Sequence, residues 1–274
     1  MISIACCLKR AAELTESDTA RLDVELLLAK CLNKNRSYLF TWPERELDEQ
    51  QTQAFSSLFE RRLNGEPIAY ILGQQDFWSL DLKVSPATLI PRPETELLVE
   101  LALDRGFNDA RILDLGTGTG AVALALASEF TAAHVEAVDY SADAVALAAE
   151  NAKALGLERV LVSQSDWYSN VSGCFDLIVS NPPYIDAGDR HLSQGDVRFE
   201  PLSALVSENS GLADLEKIIS GAPTFLFESA WLLVEHGWQQ AEFVRLLFLK
   251  YGFKQVASHR DLAGHERITL GQFI

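Results

Sequence analysis

Up to about residue 70 the apolar positions recur with the period of a helix. In "ARLDVELLLAKCL" Leu22, Leu26 and Cys31 fall on one stripe, with Ser17 or Asp18 as the N-cap. "LDEQQTQAFSSLFERRL" repeats the pattern through Leu47, Phe55, Leu58, Phe59 and Leu63. "NGEP" at 64–67 interrupts it, and Pro67 suits the first turn of another short helix. These segments predict a small helical bundle. From about residue 75 the texture changes. "DFWSLDLKVS" alternates as paired strands do, which predicts a hairpin. "PRPETELLVELALDR" opens a helix with Glu94 and Glu96 near its positive end. Short apolar runs ("ARILDL", "HVEAVD", "RVLVSQ", "CFDLIVS", "WLLVEH", "KQVASH", "RITLGQF") then alternate with helical patterns, which predicts an α/β fold with a doubly wound, mostly parallel sheet. The expected division is a helical domain over 1–73, a β-hairpin linker over 74–88 and the α/β domain over 89–274. The polar stretch 186–211 is long for a compact domain and reads as a lid or binding loop.

Composition adds little until charge is considered. The 274 residues are ample for a sizeable core. No run reaches the length of a membrane span, and the apolar N-terminus "MISIACCLKRAAEL" reads as an amphipathic helix rather than a signal peptide. Cys6, Cys7, Cys31 and Cys174 show neither a CxxC pair nor zinc spacing, which predicts buried thiols in a reducing cytosol. The net charge is −16. Residues 1–73 carry 9 basic and 11 acidic side chains, and residues 74–274 carry 14 and 28. So acidic a second part repels a phosphate backbone, which lowers the standing of nucleic acid as a partner without excluding a local basic patch.

Two stretches carry candidate chemistry. "ILDLGTGTG" (112–120) ends a strand, sets Gly116, Gly118 and Gly120 at alternate positions and leads into a helix. Ligands of open α/β sheets bind at the carboxyl ends of the strands, and one glycine would suffice for a plain turn. The spacing is GxGxG rather than the dinucleotide GxGxxG, although an acidic residue, Asp139, ends the next strand as that fingerprint requires. Asp139 can accept both ribose hydroxyls of an adenosine, or else cap the helix beginning "SADAVALAA", for which Ser141 is also available. Without the pyrophosphate signature, S-adenosylmethionine fits better than a nicotinamide dinucleotide. In "SQSDW", Asp166 can accept from an adenine amino group and Trp167 can pack on the ring.

The second stretch is Asn181-Pro182-Pro183-Tyr184, delivered to the same sheet edge by "FDLIVS". Proline fixes its own φ, restrains the preceding residue and offers no N–H. The backbone there presents carbonyl acceptors only, and Asn181 adds a side-chain carbonyl. Two stiff acceptors suit a planar –NH2 group, and Tyr184 offers an aromatic face to a planar substrate. The lone pair of an amide or aryl –NH2 is delocalised. Acceptors that draw on its hydrogens enrich and orient the nitrogen toward an electrophile.

DLGTGTG, Asp139, SDW and NPPY together resemble the class I S-adenosylmethionine-dependent methyltransferases that modify amino nitrogens. NPPY itself is shared by adenine-N6 and protein-glutamine N5 methyltransferases. The wider pattern is similar to the release-factor glutamine methyltransferase family: "RLDVELLLAKCL", "PIAYILGQQDFW", "LIPRPETELLVE", "DVRFEPLSAL", "LLVEHG" and "RDLAGHERIT" span nearly the whole chain. The resemblance implies a helical N-terminal domain, a hairpin linker and a seven-stranded, Rossmann-like catalytic domain, and the helical domain is expected to dock the substrate. It implies methyl transfer from S-adenosylmethionine, leaving S-adenosylhomocysteine, to the side-chain amide of the Gly-Gly-Gln glutamine in class I peptide chain release factors. On it, Gly116, Thr117, Gly118, Thr119, Gly120, Asp139, Asp166 and Trp167 bind the cofactor, and Asn181 touches it as well. Asn181, Pro182, Pro183 and Tyr184 hold the glutamine amide, with Asn181, Pro182 and Tyr184 carrying the catalysis. The implied setting is cytoplasmic, with no stable nucleic-acid binding and no membrane.

One departure stands out. The family has a Gly-Gly turn before the strand corresponding to "WLLVEHG", where this chain reads Glu228, Ser229 and Ala230. The runner-up is an adenine-N6 methyltransferase acting on a flipped base of DNA or RNA, and a third reading is a cofactor-binding protein without catalysis. His134, His191, His236, His259 and His265 show no metal spacing, so no metal is expected, and His236 reads as structural. Arg92 and Glu94 either line the cleft or start their helix.

Overall fold

A computed structural model describes residues 2–274, which fall into two compact units. The first comprises residues up to 74 together with 190–199. Its helices are α1 (Ile4–Lys9), α2 (Ala20–Leu32), α3 (Arg36–Thr41), α4 (Glu49–Leu63) and α5 (Ile68–Leu72). They enclose Ile4, Leu27, Leu28, Leu39, Phe55 and Phe59. α4 begins with a reciprocal capping box between Asp48 and Gln51.

α2 differs from its sequence pattern. Its buried positions are Asp23, Val24, Glu25, Leu27, Leu28 and Leu32, while Leu22 is exposed and Leu26 and Cys31 are half-buried. Two acids are inside because each is partnered. Asp23 meets Arg62 at 2.7 Å and takes the hydroxyls of Ser17 and Thr19, and Glu25 meets Arg21 and Arg36. Periodicity alone cannot foresee such pairing, and it rotates the inferred stripe. Neither Ser17 nor Asp18 is the N-cap. Thr19 holds that position without a side-chain capping bond, because its hydroxyl and that of Ser17 serve Asp23. Segment 190–199 belongs to this unit through Asp196 on Arg62 at 3.2 Å and Arg198 on the carbonyl of Asn64.

The second unit, 75–189 with 200–274, is built on a sheet. β1 (Gln74–Phe77) and β2 (Leu80–Lys83) form a separate two-stranded ribbon. The main sheet has β3 (Arg111–Leu115), β4 (His134–Asp139), β5 (Leu161–Gln164), β6 (Phe175–Ser180), β7 (Leu226–Glu235), β8 (Lys254–Arg260) and β9 (Glu266–Gln272). Its order is β5-β4-β3-β6-β7-β9-β8, antiparallel only where β9 meets β7 and β8. Helices α6 (Glu96–Leu103), α7 (Ala121–Glu129), α8 (Ala142–Ala154), α9 (Ala213–Gly221) and α10 (Ala241–Lys250) cover it. Two apolar clusters form: one contains Ile112, Leu177 and the helix α7, the other Leu113, Leu115, Ile178 and Phe248. Adjacent strand residues point to opposite faces, so both faces of β3 are apolar.

The replacement of the glycine turn is resolved within β7. Phe175 pairs with Leu226 but Leu177 pairs with Trp231, so three extra residues bulge from β7. Ser229 lies in the left-handed region at φ 67°, its N–H donating to the Phe273 carbonyl at 2.7 Å. The expectation of four buried thiols also needs correction. Cys7 is buried, Cys31 and Cys174 are half-buried, and Cys6 is exposed on the outer side of the short helix α1. No helix among the described residues is long and apolar enough to cross a membrane.

Candidate active site

The strand order reverses between β3 and β6, since the chain runs outward from β3 through β4 and β5 and returns to β6 on the other side. A crevice opens at the carboxyl end of such a switch point. Register then decides what lines it. Leu115 pairs with Ser180, so Gly116 and Asn181 leave the sheet side by side, and Ser180 Oγ donates to the Leu115 carbonyl at 2.7 Å. On the other flank Leu115 pairs with Val138, one residue before Asp139, and Asp139 pairs with Gln164, two residues before Asp166. The motifs separated along the chain are thus collected by the ladder itself.

The resulting cleft has ≈ 1010 Å³ of empty space counted to its open mouth, about the upper size of small-molecule clefts. Its wall includes Gly116, Thr117, Gly118, Thr119, Asp114, Asp139, Ser165, Trp167, Asn181 and Pro183, with Thr88, Arg92, Thr95 and Ser203 facing them. The glycine loop is left-handed at Gly116 (φ 74°), Gly118 (φ 55°) and Gly120 (φ 85°). Gly116 also brings backbone close to the Trp167 ring, where a Cβ would sit 3.3 Å away. Gly120 stands outside the wall and is needed for packing, because a Cβ there would meet Leu124 at 3.0 Å and Ala148 at 3.3 Å.

Asp139 accepts the Gly118 N–H on one oxygen and the Ser141 N–H on the other, both at 2.9 Å. Burial pushes its carboxyl up, and these backbone donors pull it back. The helix-cap alternative for Asp139 is filled by Ser141, whose hydroxyl accepts the Ala144 N–H. Asp114 is buried under the loop and takes the Thr117 hydroxyl at 2.7 Å and the Ala123 N–H at 3.2 Å. Burial lifts it to about 7. Trp167 adopts φ 48°, with its indole N–H on Asp214 at 3.2 Å, so the ring is fixed from behind.

Besides Gly120, three expected site residues do not face the cleft. Asp166 is exposed and absent from the wall, because the turn after β5 directs Ser165 and Trp167 inward in its place. Pro182 is buried and absent from the wall. The ring of Tyr184 packs on the core beside the sheet, while its hydroxyl donates to Glu235 at 3.2 Å and its carbonyl takes the Gln240 amide at 3.0 Å. Arg92 lines the cleft and pairs with the buried Glu200 at 2.6 Å, whereas Glu94 is exposed at the start of its helix. His236 is buried between the Gly237 carbonyl and the Thr269 hydroxyl. Among the described residues no His, Cys, Asp or Glu group is placed to hold a metal.

Asp114, Thr95 and Glu235 join the site without having been singled out from sequence. Asp114 had a usable signal, an acid closing the strand before the glycines. Thr95 and Glu235 had none, as their meeting depends on the pairing of β6 with β7 and on where the helix after Pro93 starts.

Residues 8–73 match the family described as the PrmC N-terminal domain, and residues 93–196 match the methyltransferase small domain. The chain is 50% identical over 279 residues to the release factor glutamine methyltransferase of Aliivibrio fischeri, covering 100% of this chain and 98% of that one. It is 55% identical over 270 residues to the protein of the same name from Pseudomonas aeruginosa, covering 98% of each. Among solved structures, a methyltransferase from Pyrococcus furiosus superposes with TM-score 0.55 at 21% identity, over 80% of this chain and 98% of that one, a likeness of fold alone.

Proposed function

The chain belongs to the release factor glutamine methyltransferase family, and from that premise we propose how its cleft performs methyl transfer to a glutamine side-chain amide. The observation that carries the reading is Asn181 on the cleft wall directly beside Gly116. The glycine loop, Asp139 and Trp167 hold S-adenosylmethionine. The loop brings backbone within reach of a ligand, Asp139 accepts its ribose hydroxyls, and Trp167 flanks its ring. Asp139 sets a carboxylate on the cleft wall, which suits a ligand bearing a sulfonium and an ammonium group. Asp166, being exposed, is given no part in this. S-adenosylmethionine supplies an electrophilic methyl group on a positively charged sulfur.

The protein's work is on the nucleophile. Asn181 Oδ1 accepts from the glutamine –NH2, turning its nitrogen toward the methyl group, and Pro182, buried behind the wall, contributes by stiffening Asn181. Tyr184 acts by anchoring the tetrapeptide, since its ring and hydroxyl are engaged in the protein. The methylated amide nitrogen, far more acidic than the starting amide, gives up one proton to water as S-adenosylhomocysteine is left, so no strong base is required and positioning and electrostatics supply most of the rate. A class I release factor is the macromolecular substrate, and the first unit is its docking surface.

The test offers labelled S-adenosylmethionine with a Gly-Gly-Gln release factor, a Gln→Ala release factor and duplex DNA. Label on the release factor alone, lost in the control, supports the glutamine reading. Label on DNA alone moves the chain to the adenine reading, and label on none sinks catalysis on either.

A further inference from the structure

Glu235 closes β7 one residue past Val234, which pairs with Ser180. It therefore stands level with Asn181. Its side chain is 3% exposed, and both oxygens are used: Oε2 accepts from Thr95 Oγ1 at 2.8 Å and Oε1 from the Tyr184 hydroxyl at 3.2 Å. Asn181 Nδ2 in turn donates to Thr95 Oγ1 at 3.1 Å. One carboxylate thus reaches both ends of Asn-Pro-Pro-Tyr.

Above about pH 7, where Glu235 is ionised, the chain of bonds has a fixed sense. A threonine hydroxyl has one hydrogen to give. Thr95 gives it to the carboxylate, so toward Asn181 it offers only a lone pair. The Asn181 amide must then turn its –NH2 to Thr95, which leaves Oδ1 for a ligand. A flipped Asn181 would set one –NH2 against another, donor facing donor. We propose that Glu235 is a positioning residue for methyl transfer, selecting through Thr95 the orientation of Asn181 in which its oxygen meets the substrate amide, and through Tyr184 holding the far end of the same tetrapeptide. This rests on the reading of Asn181 as an amide acceptor given above.

A purely structural role accounts poorly for the same facts. Burying a carboxylate costs several kcal/mol unless it is compensated, and the two charges that bear on Glu235, Arg267 and Glu94, oppose one another. An apolar side chain would fill the space more cheaply. Nor does the Thr95 hydroxyl cap α6, which starts without a side-chain capping bond.

Thr95→Val keeps the shape and removes the hydroxyl, Thr95→Ser keeps the hydroxyl, and Glu235→Gln replaces an acceptor-only group by one that can also donate. For Thr95→Val and Glu235→Gln, kcat on release factor should fall about 10- to 100-fold, as when the partner orienting a functional group is lost. The Kd for S-adenosylmethionine should stay near parental in both, the Tm should stay near parental in Thr95→Val, and Thr95→Ser should restore most of the rate. Parental kcat in Thr95→Val, or equal loss in Thr95→Ser, overturns the proposal. A second readout does not depend on turnover. In 15N-labelled protein, one Asn181 side-chain N–H proton should exchange slowly in the parent and in Thr95→Ser, and both should exchange fast in Thr95→Val. Fast exchange of both in the parent overturns the anchoring even if release factor is methylated. An inactive parent with one protected proton sinks the glutamine reading and leaves the anchoring standing.

Discussion

Asn181 is held by three independent constraints: the strand that delivers it, the proline that follows it and the hydroxyl of Thr95. Such a residue is rigid before any ligand arrives, which is what an acceptor acting mainly on the transition state requires. Asn181→Ala removes the oxygen but leaves strand and prolines in place. Its kcat should fall ~100-fold or more, within the range for losing one preorganised hydrogen-bonding group, while the Tm stays close to parental. Turnover within a few-fold of the parent, measured by methyl incorporation into release factor, would remove Asn181 from the chemistry. At this scale the sequence was legible where the backbone is unusual. Repeated glycines and paired prolines have few explanations, so Gly116 and Asn181 could be found without a structure. Glu235 could not, because an acid at a strand end is commonplace and its meaning lies in a neighbour 140 residues away, Thr95. Asp166 failed for a related reason, since a turn of unknown shape decides which of three consecutive residues faces inward.

The β7 bulge is an element-scale feature. Sequence marked an irregularity at Glu228–Ala230, read as a longer or differently shaped turn, and could not place it inside a strand. Pairing of β7 on both sides makes it a bulge, since Ser229 stays bonded to Phe273 while Phe175 and Leu177 skip past it. A left-handed residue other than glycine costs roughly 1–2 kcal/mol. Glycine avoids that cost, and its greater freedom in the unfolded chain takes back about 0.5–1 kcal/mol. The balance favours glycine, so Ser229→Gly should stabilise the protein by about 0.5 kcal/mol, seen as a higher urea midpoint with unchanged slope. A lower midpoint would mean that the serine side chain contributes more than its backbone strain costs. α2 teaches the converse lesson. Its helical character was legible from the apolar period, but its buried face was not, because Asp23 and Glu25 are inside only by virtue of arginines: Arg62 and Arg36 on other helices and Arg21 one turn back on α2 itself.

For the molecule as a whole, the sequence carried the order of helices and strands, and the charge split pointed away from nucleic acid. It could not reveal that residues 190–199 belong to the N-terminal unit, because that assignment rests on contacts such as Arg62 with Asp196 rather than on pattern. Global stability should carry the mark of the site. Burial lifts Glu235 from its ordinary 4.5 to about 7, against the hydroxyls of Thr95 and Tyr184 and the charge of Arg267, which pull it down, while Glu94 adds to the rise. The folded protein therefore keeps a proton that the unfolded chain has shed across that window. Stability from this group is greatest below pH 4.5 and falls as pH rises to about 7. Asp114 acts in the same sense, and His236, held neutral by burial, acts in the opposite one. A total pH profile would mix these, so the comparison must be with Glu235→Gln, which cannot titrate. Between about pH 5 and 7.5 the parent should lose stability relative to that variant, by at most on the order of 3 kcal/mol. Parallel urea midpoints at the two pH values would mean that Glu235 stays charged throughout.

The docking role proposed for the N-terminal unit calls for a different experiment. Removing residues 1–73 would also strip segment 190–199 of its packing partners, so a loss of activity would not distinguish docking from damage. Phe40 and Trp42 offer a cleaner route. They are 55% and 58% exposed at the end of α3, apolar surface that the helical core does not use, in the N-terminal part of the chain with little net charge. Large aromatic side chains left in water are strong candidates for anchoring a partner. Replacing both by alanine should leave the Tm unchanged, because neither supports the core. It should raise KM for whole release factor roughly 10-fold, the loss expected when one or two anchors worth more than 1 kcal/mol each are truncated, and leave KM for a short Gly-Gly-Gln peptide as it was. An equal rise for both substrates would place the effect in the cleft rather than at a docking surface. No rise for either would show that this face of the first unit does not recognise the release factor.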